Sequence, residues 1–125
     1  MRTETIQYFS EDEEAFVDLL VEIGTRKNIA KLLVFLAGVP AASSLEIERG
    51  ADMRQPEVSL ALRYLVARGW CRVKETSPER RGRPTNIYEL AVPLPSILDA
   101  IGEEKRDEAR DQLALLERLR EVGRG

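Results

Sequence analysis

Apolar residues along this chain recur mostly at helical spacing, with one short interval where the period falls to two. Phe16, Leu19, Leu20 and Ile23 follow an i, i+3, i+4, i+7 pattern and predict a first helix. Ser10, with Glu13 three residues on, forms a capping box for its start, and the acids there suit the positive end of the helix dipole. Gly24 stops this helix, and Thr25 is placed to cap the next. That second helix buries Ile29, Leu32, Leu33 and Leu36, widened by Val34 and Phe35, and ends at Gly38, Val39 and Pro40. Another capping box, Ser43 with Glu46, opens a third helix that reaches Glu48 or Arg49 and offers Leu45 and Ile47 for burial. Gly50, Ala51, Asp52 and Met53 supply a turn. A fourth helix is predicted over residues 56–68, with Pro56 in its first turn, where a missing N–H breaks no intrahelical bond. Val58, Leu62 and Leu65 form its apolar stripe, and Pro56, Ser59, Leu60, Arg63 and Ala67 lie opposite.

Beyond Gly69 the pattern is that of a hairpin. Residues 70–76 read as a strand, residues 77–84 as a polar, arginine-rich connection, and residues 86–92 as a second strand with Tyr88 and Leu90 on one face. After Pro93 and Pro95 helical spacing returns with Ile97, Leu98 and Ile101. Gly102 then precedes six charged residues without an apolar stripe, which predicts a kink or a break. Ala109, Leu113, Leu116 and Leu119 resume a narrow seam up to Val122, the form of a helix that pairs with a partner helix or folds back on its own domain. Two short helices joined by a tight glycine-containing turn are the helix-turn-helix layout, and the hairpin adds a wing. The expected fold is mainly α with a small β-hairpin: a winged helix-turn-helix over residues 25–92, an N-terminal helix within 1–24, and a C-terminal helix within 93–125 that serves dimerisation.

Charge changes the picture. The chain carries 19 basic and 22 acidic residues, net −3, which argues against a nucleic-acid partner. Between residues 49 and 85, however, nine basic residues face four acidic ones, a local +5 against −8 in the remainder. Phosphate contact requires a local basic surface, whatever the total. On the fourth helix, Arg54, Gln55, Ser59 and Arg63 are the candidate contacts. Arginine matches guanine O6 and N7, glutamine matches adenine, and serine bonds either base or phosphate. The same face also fits the solvated side of an amphipathic helix. Glu57 repels phosphate and points away or reads a cytosine amino group. Trp70 and Tyr64 are expected in the core.

In the wing, Arg80, Arg81, Gly82 and Arg83 are the candidates. The sequence Arg81-Gly82-Arg83-Pro84 has the four-residue core of the AT-hook, whose extended arginines enter the negative potential of a narrow A·T minor groove. A hairpin tip that is basic only for solubility has the same composition.

Catalysis finds no support. There is no histidine for general-base work, no glycine-rich phosphate loop, and a single cysteine without an activator. No metal site and no cofactor are expected, since zero histidines and one cysteine cannot build a thiolate or imidazole cage within a subunit. Cys71 is expected to pack as a small hydrophobe. One cysteine, an N-terminus without the apolar core of a signal peptide, and no apolar run of about 18 residues make a cytoplasmic, non-membrane protein the expectation.

The order and spacing of these pieces resemble a known family. The Ser-x-x-Glu helix start at Ser43, the Arg-Gln-Pro-Glu-Val-Ser helix entry at Arg54, Arg68-Gly69-Trp70 before the first strand and the Gly-Arg-Pro-Thr-Asn-Ile-Tyr-Glu-Leu wing from Gly82 look like small prokaryotic transcriptional regulators of ArsR-, MarR- or TrmB-like type. The resemblance covers roughly residues 25–92. It implies a homodimer on double-stranded DNA, with the fourth helix in the major groove and the arginine wing on the minor groove or backbone, and it implies repression by promoter blocking as the commoner mechanism. Leu113, Leu116 and Leu119 are the expected dimerisation residues. Absent histidines depart from the metal-sensing members. The rival reading is a winged-helix interaction module within a larger complex, using the acidic surface and the terminal helix.

Overall fold

The computed structural model describes residues 9–78 and 84–125. The described residues form helices α1 (Glu11–Glu22), α2 (Lys27–Ala37), α3 (Ser44–Ala51), α4 (Gln55–Ala67) and α5 (Leu94–Arg124), with strands β1 (Ala42–Ser43), β2 (Cys71–Pro78) and β3 (Pro84–Leu90). The sheet is antiparallel, in the order β1-β3-β2. The chain divides into two compact units, Met1–Leu94 and Pro95–Gly125.

In the first unit α2 is the centre. It packs against α1, α3, α4 and β3. Six of its eleven residues are buried: Ile29, Ala30, Leu32, Leu33, Val34 and Leu36. Ile47 of α3 and Val58 and Leu65 of α4 are fully buried in the same unit. Both capping boxes form as expected. Ser10 Oγ accepts from the Glu13 N–H at 3.1 Å and the Ser10 N–H donates to Glu13 Oε1 at 2.8 Å; Ser43 and Glu46 repeat this at 3.2 and 2.8 Å. Such caps satisfy backbone donors that the first turn of a helix leaves unpaired.

The helix-turn-helix joint differs from the expectation. Gly50 is not a turn residue, since α3 continues through Ala51 and the turn is Asp52, Met53 and Arg54. Asp52 takes the left-handed conformation at φ 54°, one that aspartate tolerates, and its carbonyl accepts from Lys31 Nζ of α2 at 2.8 Å. Gly50 is there for space: a Cβ on it would lie 2.3 Å from Cε1 of the Phe35 ring. Close approach of two helices, not a bend, sets that glycine.

Other expectations are corrected too. On α1 the buried residues are Val17 and Leu20, with Leu19 and Ile23 exposed, so the buried stripe is rotated from the expected one. Arg26, not Thr25, is the N-cap of α2. Tyr64 is exposed, and its hydroxyl accepts from Arg68 Nη1 at 3.0 Å, while the Arg68 guanidinium lies over the buried Trp70 ring at 4.1 Å. Gly69, at φ 78°, ends α4 as expected. The hairpin is shifted: β2 runs to Pro78, β3 starts at Pro84 and ends at Leu90, and β1 adds a third strand through Ala42 opposite Tyr88 and Ser43 opposite Ile87.

The second unit is α5, 31 residues without the expected break at Gly102. Ion pairs at i, i+3 join Asp107 to Arg110, Lys105 to Glu108 at 3.2 Å and Glu117 to Arg120 at 3.8 Å. Such pairs, on residues that favour helix, offset the cost of about 1 kcal/mol for one interior glycine. Ile97 and Ile101 are its buried positions, and Leu113, Leu115, Leu116, Leu119 and Val122 are all exposed. Among the described residues, no helix is long and apolar enough to cross a membrane.

Two predictions test this packing. Gly50→Val should destabilise the fold by about 1–3 kcal/mol through overpacking against Phe35; Phe35→Ala in the same chain should recover part of that loss in a denaturant titration. Additive losses would show that the ring is not what excludes the side chain. Cys71 is buried at the start of β2, and burial pushes its thiol up to about 11 from an ordinary 9.0. The unfolded chain then releases its thiol proton at lower pH than the folded one. The thiol's stabilising contribution is therefore full below about pH 9 and is lost as pH rises toward 11, by up to about 3 kcal/mol. The stability difference between the native protein and Cys71→Ala should shrink over that interval, and a constant difference would contradict the assignment.

Candidate nucleic-acid interface

Helix α4 buries Val58, Ala61, Leu62 and Leu65. At 3.6 residues per turn, that commits the opposite side, centred on Pro56, Leu60, Arg63 and Ala67, to the outside. Gln55, Ser59 and Arg63, spaced four apart, run up one flank of this outer side. Together with Ser44, Leu62, Val66, Val73 and Tyr88 they line an open groove of about 350 Å³ between α4, the start of α3 and the β2–β3 hairpin. Three of the residues singled out from sequence on α4 are therefore neighbours. Arg63 forms no ion pair among the described residues.

Arg54 stands apart from this groove. It is the N-cap residue of α4, its backbone N–H donates to Glu57 Oε1 at 2.9 Å, and its guanidinium lies 3.9 Å from the Glu57 carboxylate. Glu57 is thus occupied at the helix start, where a negative charge also meets the helix dipole favourably.

The hairpin flanks the groove. Its register pairs Cys71 with Leu90, Arg72 with Glu89 and Val73 with Tyr88, then shifts so that Glu75 faces Ile87 and Thr76 faces Asn86. This irregularity at Lys74 is a bulge, a feature that increases strand twist. A cross-strand ion pair, Arg72 Nε to Glu89 Oε2 at 2.8 Å, and a hydrogen bond from Thr76 Oγ1 to Asn86 Oδ1 at 3.0 Å help fix the register, one on each side of the bulge. Arg72 is spent on that pair, while Lys74 is exposed. Arg80, Arg81, Gly82 and Arg83 lie outside the described residues.

Ser44, Val73 and Tyr88 were not assigned to the site from sequence. Ser44 follows the N-cap of α3 and reads there only as part of a capping box; β1 pairing with β3 is what brings it beside Tyr88. The alternation of Val73 with charged neighbours was a usable signal for a residue half outside the core.

No protein-family model and no curated protein matches the sequence. Solved structures do. The archaeal chromatin protein TrmBL2, whose structure is described as showing a novel mode of DNA binding, aligns with a TM-score of 0.64 at 20% identity over 87% of this chain and 39% of its own. The chain thus spans about two fifths of that protein. A possible transcriptional regulator from Methanosarcina mazei Go1 aligns with a TM-score of 0.58 at 11% identity, over 76% of this chain and 82% of its own. A MarR-family transcriptional regulator from Silicibacter pomeroyi aligns at 0.50 and 16%, over 89% and 80%. At these identities the likeness is one of fold. The chain has a winged helix-turn-helix fold similar to those of TrmBL2 and the MarR-family protein.

Proposed function

We propose that this protein is a double-stranded-DNA-binding transcriptional regulator that acts as a homodimer, with α4 in the major groove and the arginine-rich wing on the adjacent minor groove or backbone. The observation that carries the reading is the outward face of α4: Gln55, Ser59 and Arg63 in one line beside an unpaired groove, in the most basic third of an otherwise acidic chain. A helix of this width fits the major groove, and these side chains match base edges and phosphates. Two of the fold's structural neighbours, TrmBL2 and the MarR-family protein, are a DNA-binding chromatin protein and a transcriptional regulator. The net charge of −3 does not oppose this, because phosphates respond to local charge within a screening length of about 10 Å, and residues 49–85 carry +5.

Dimerisation is assigned to α5. Leu113 and Leu119 are 62% and 68% exposed, and Leu116 and Val122 are exposed beside them. A row of large apolar side chains left in water on a regular helix is the seam of a helix pair. Two copies present two α4 helices to two half-sites on the duplex. No cofactor and no catalytic step enter this reading.

Fluorescence anisotropy of the protein with its own upstream DNA and with a scrambled duplex, across a salt series, tests the function. Salt-sensitive binding with preference for the native fragment is expected, and Arg81→Ala with Arg83→Ala should lower the slope of log affinity against log salt by about 1.8, or about 0.9 per lost phosphate contact. No binding to either duplex at low salt overturns the reading in favour of a protein-interaction module. Leu113→Glu with Leu116→Glu should give a monomer in analytical sedimentation, whereas a persistent dimer would remove α5 from the interface.

A further inference from the structure

We propose that Leu60 reads the 5-methyl group of a thymine, making this protein select a thymine within one or two base pairs of the base contacted by Arg63. The inference rests on the DNA-binding reading above and specifies what its central helix recognises.

Leu60 is the most exposed large apolar residue of α4, at 64%. Its position is not a boundary of the core. The buried residues Val58, Ala61, Leu62 and Leu65 occupy the opposite side of the helix, so Leu60 projects from the middle of the outward face with Pro56 one turn before it and Arg63 three residues after. Nearby side chains are already engaged: Tyr64 holds Arg68, and Glu57 holds the helix start. Along this line Leu60 and Arg63, which forms no ion pair among the described residues, are placed to meet a base pair.

A solvated leucine gains nothing by itself for folding. In the major groove it has one apolar target, since the thymine methyl is the only hydrocarbon group that a base pair presents there. The geometry fits adjacent readout. Three helical residues advance about 4.5 Å along the axis, close to the base-pair rise of about 3.4 Å. Leu60 and Arg63 therefore address neighbouring steps. Both kinds of base pair carry polar groups that leucine cannot satisfy, but only the thymine methyl of an A·T pair gives Leu60 an apolar contact.

The test begins with selection of binding sites from a random duplex pool by the full-length protein at physiological salt. Each thymine of the enriched site is then replaced by deoxyuridine, which lacks only the methyl group, and affinity is measured for the native protein and for Leu60→Ala. One thymine is expected whose replacement weakens native binding about fourfold, the equivalent of about 0.8 kcal/mol for one buried methyl-sized group. The same replacement should leave Leu60→Ala binding unchanged. An unchanged thermal midpoint for Leu60→Ala, expected of an exposed residue, separates lost contact from lost fold. If sites are enriched but no deoxyuridine replacement matters, or if it matters equally in Leu60→Ala, the thymine assignment falls while DNA binding stands. If no sequence is enriched and no salt-dependent binding occurs, both fall together.

Discussion

Everything in the first unit depends on how α2 is enclosed. A helix with six of eleven residues buried has no face to give to solvent for long, and α1, α3, α4 and β3 are the surfaces that cover it. Leu32 and Leu33 are fully buried, each contributing about 1.5–3 kcal/mol by removal from water. Two polar and steric details convert that apolar attraction into a fixed geometry. Lys31 holds the Asp52 carbonyl, and the Phe35 ring sits where Gly50 has no side chain. Both act on the joint between α3 and α4. The pose of the outward-facing helix is therefore set from the inside, by α2.

The sequence was most legible where the signal is local. A capping box needs only four residues, and both of those named from sequence form with bonds of 2.8–3.2 Å. Helix α4 was readable because Pro56 marks its first turn, its apolar positions recur at one spacing and Gly69 ends it. What escaped was tertiary in origin. Two residues of β1 carry no period at all; only pairing with Tyr88 and Ile87 makes them a strand. The stripe of α1 was misplaced because Val17, Leu19, Leu20 and Ile23 are all apolar and two helical faces compete, with packing on α2 choosing Val17 and Leu20. Gly50 and Gly102 both carry the glycine signal for a break, and neither breaks its helix. Space for Phe35 explains the first, and i, i+3 ion pairs on a strongly helix-favouring run explain how the second is tolerated.

The candidate site shows the same division. Gln55, Ser59 and Arg63 could be grouped from their spacing alone, because four residues on a helix return to the same side. Arg54, adjacent in sequence, could not be separated from them without seeing its pairing with Glu57. Ser44, Val73 and Tyr88 come from three other elements, α3, β2 and β3, and their convergence follows from the sheet order β1-β3-β2, in which the last strand lies in the middle. A local pattern has no access to that order.

The exposed apolar residues on α4 and α5 differ in kind, and the difference bears on what each helix meets. On α5 they form a repeating row over about three turns, flanked by charges that pair along the same helix. A row of that sort has no counterpart in a groove lined by base edges and phosphates, but it matches a second copy of itself. On α4 Leu60 stands on the outward side among Pro56, Ser59, Arg63 and Tyr64, with Val66 exposed toward the groove, so apolar and polar groups are mixed there. A mixed surface of that kind lacks the contiguous desolvated core on which stable protein association depends. It does suit a surface such as the major groove, where single methyl groups are set among hydrogen-bonding positions. The chain thus separates its two proposed associations by pattern: a continuous apolar row for its own kind, and apolar groups mixed with polar ones for nucleic acid.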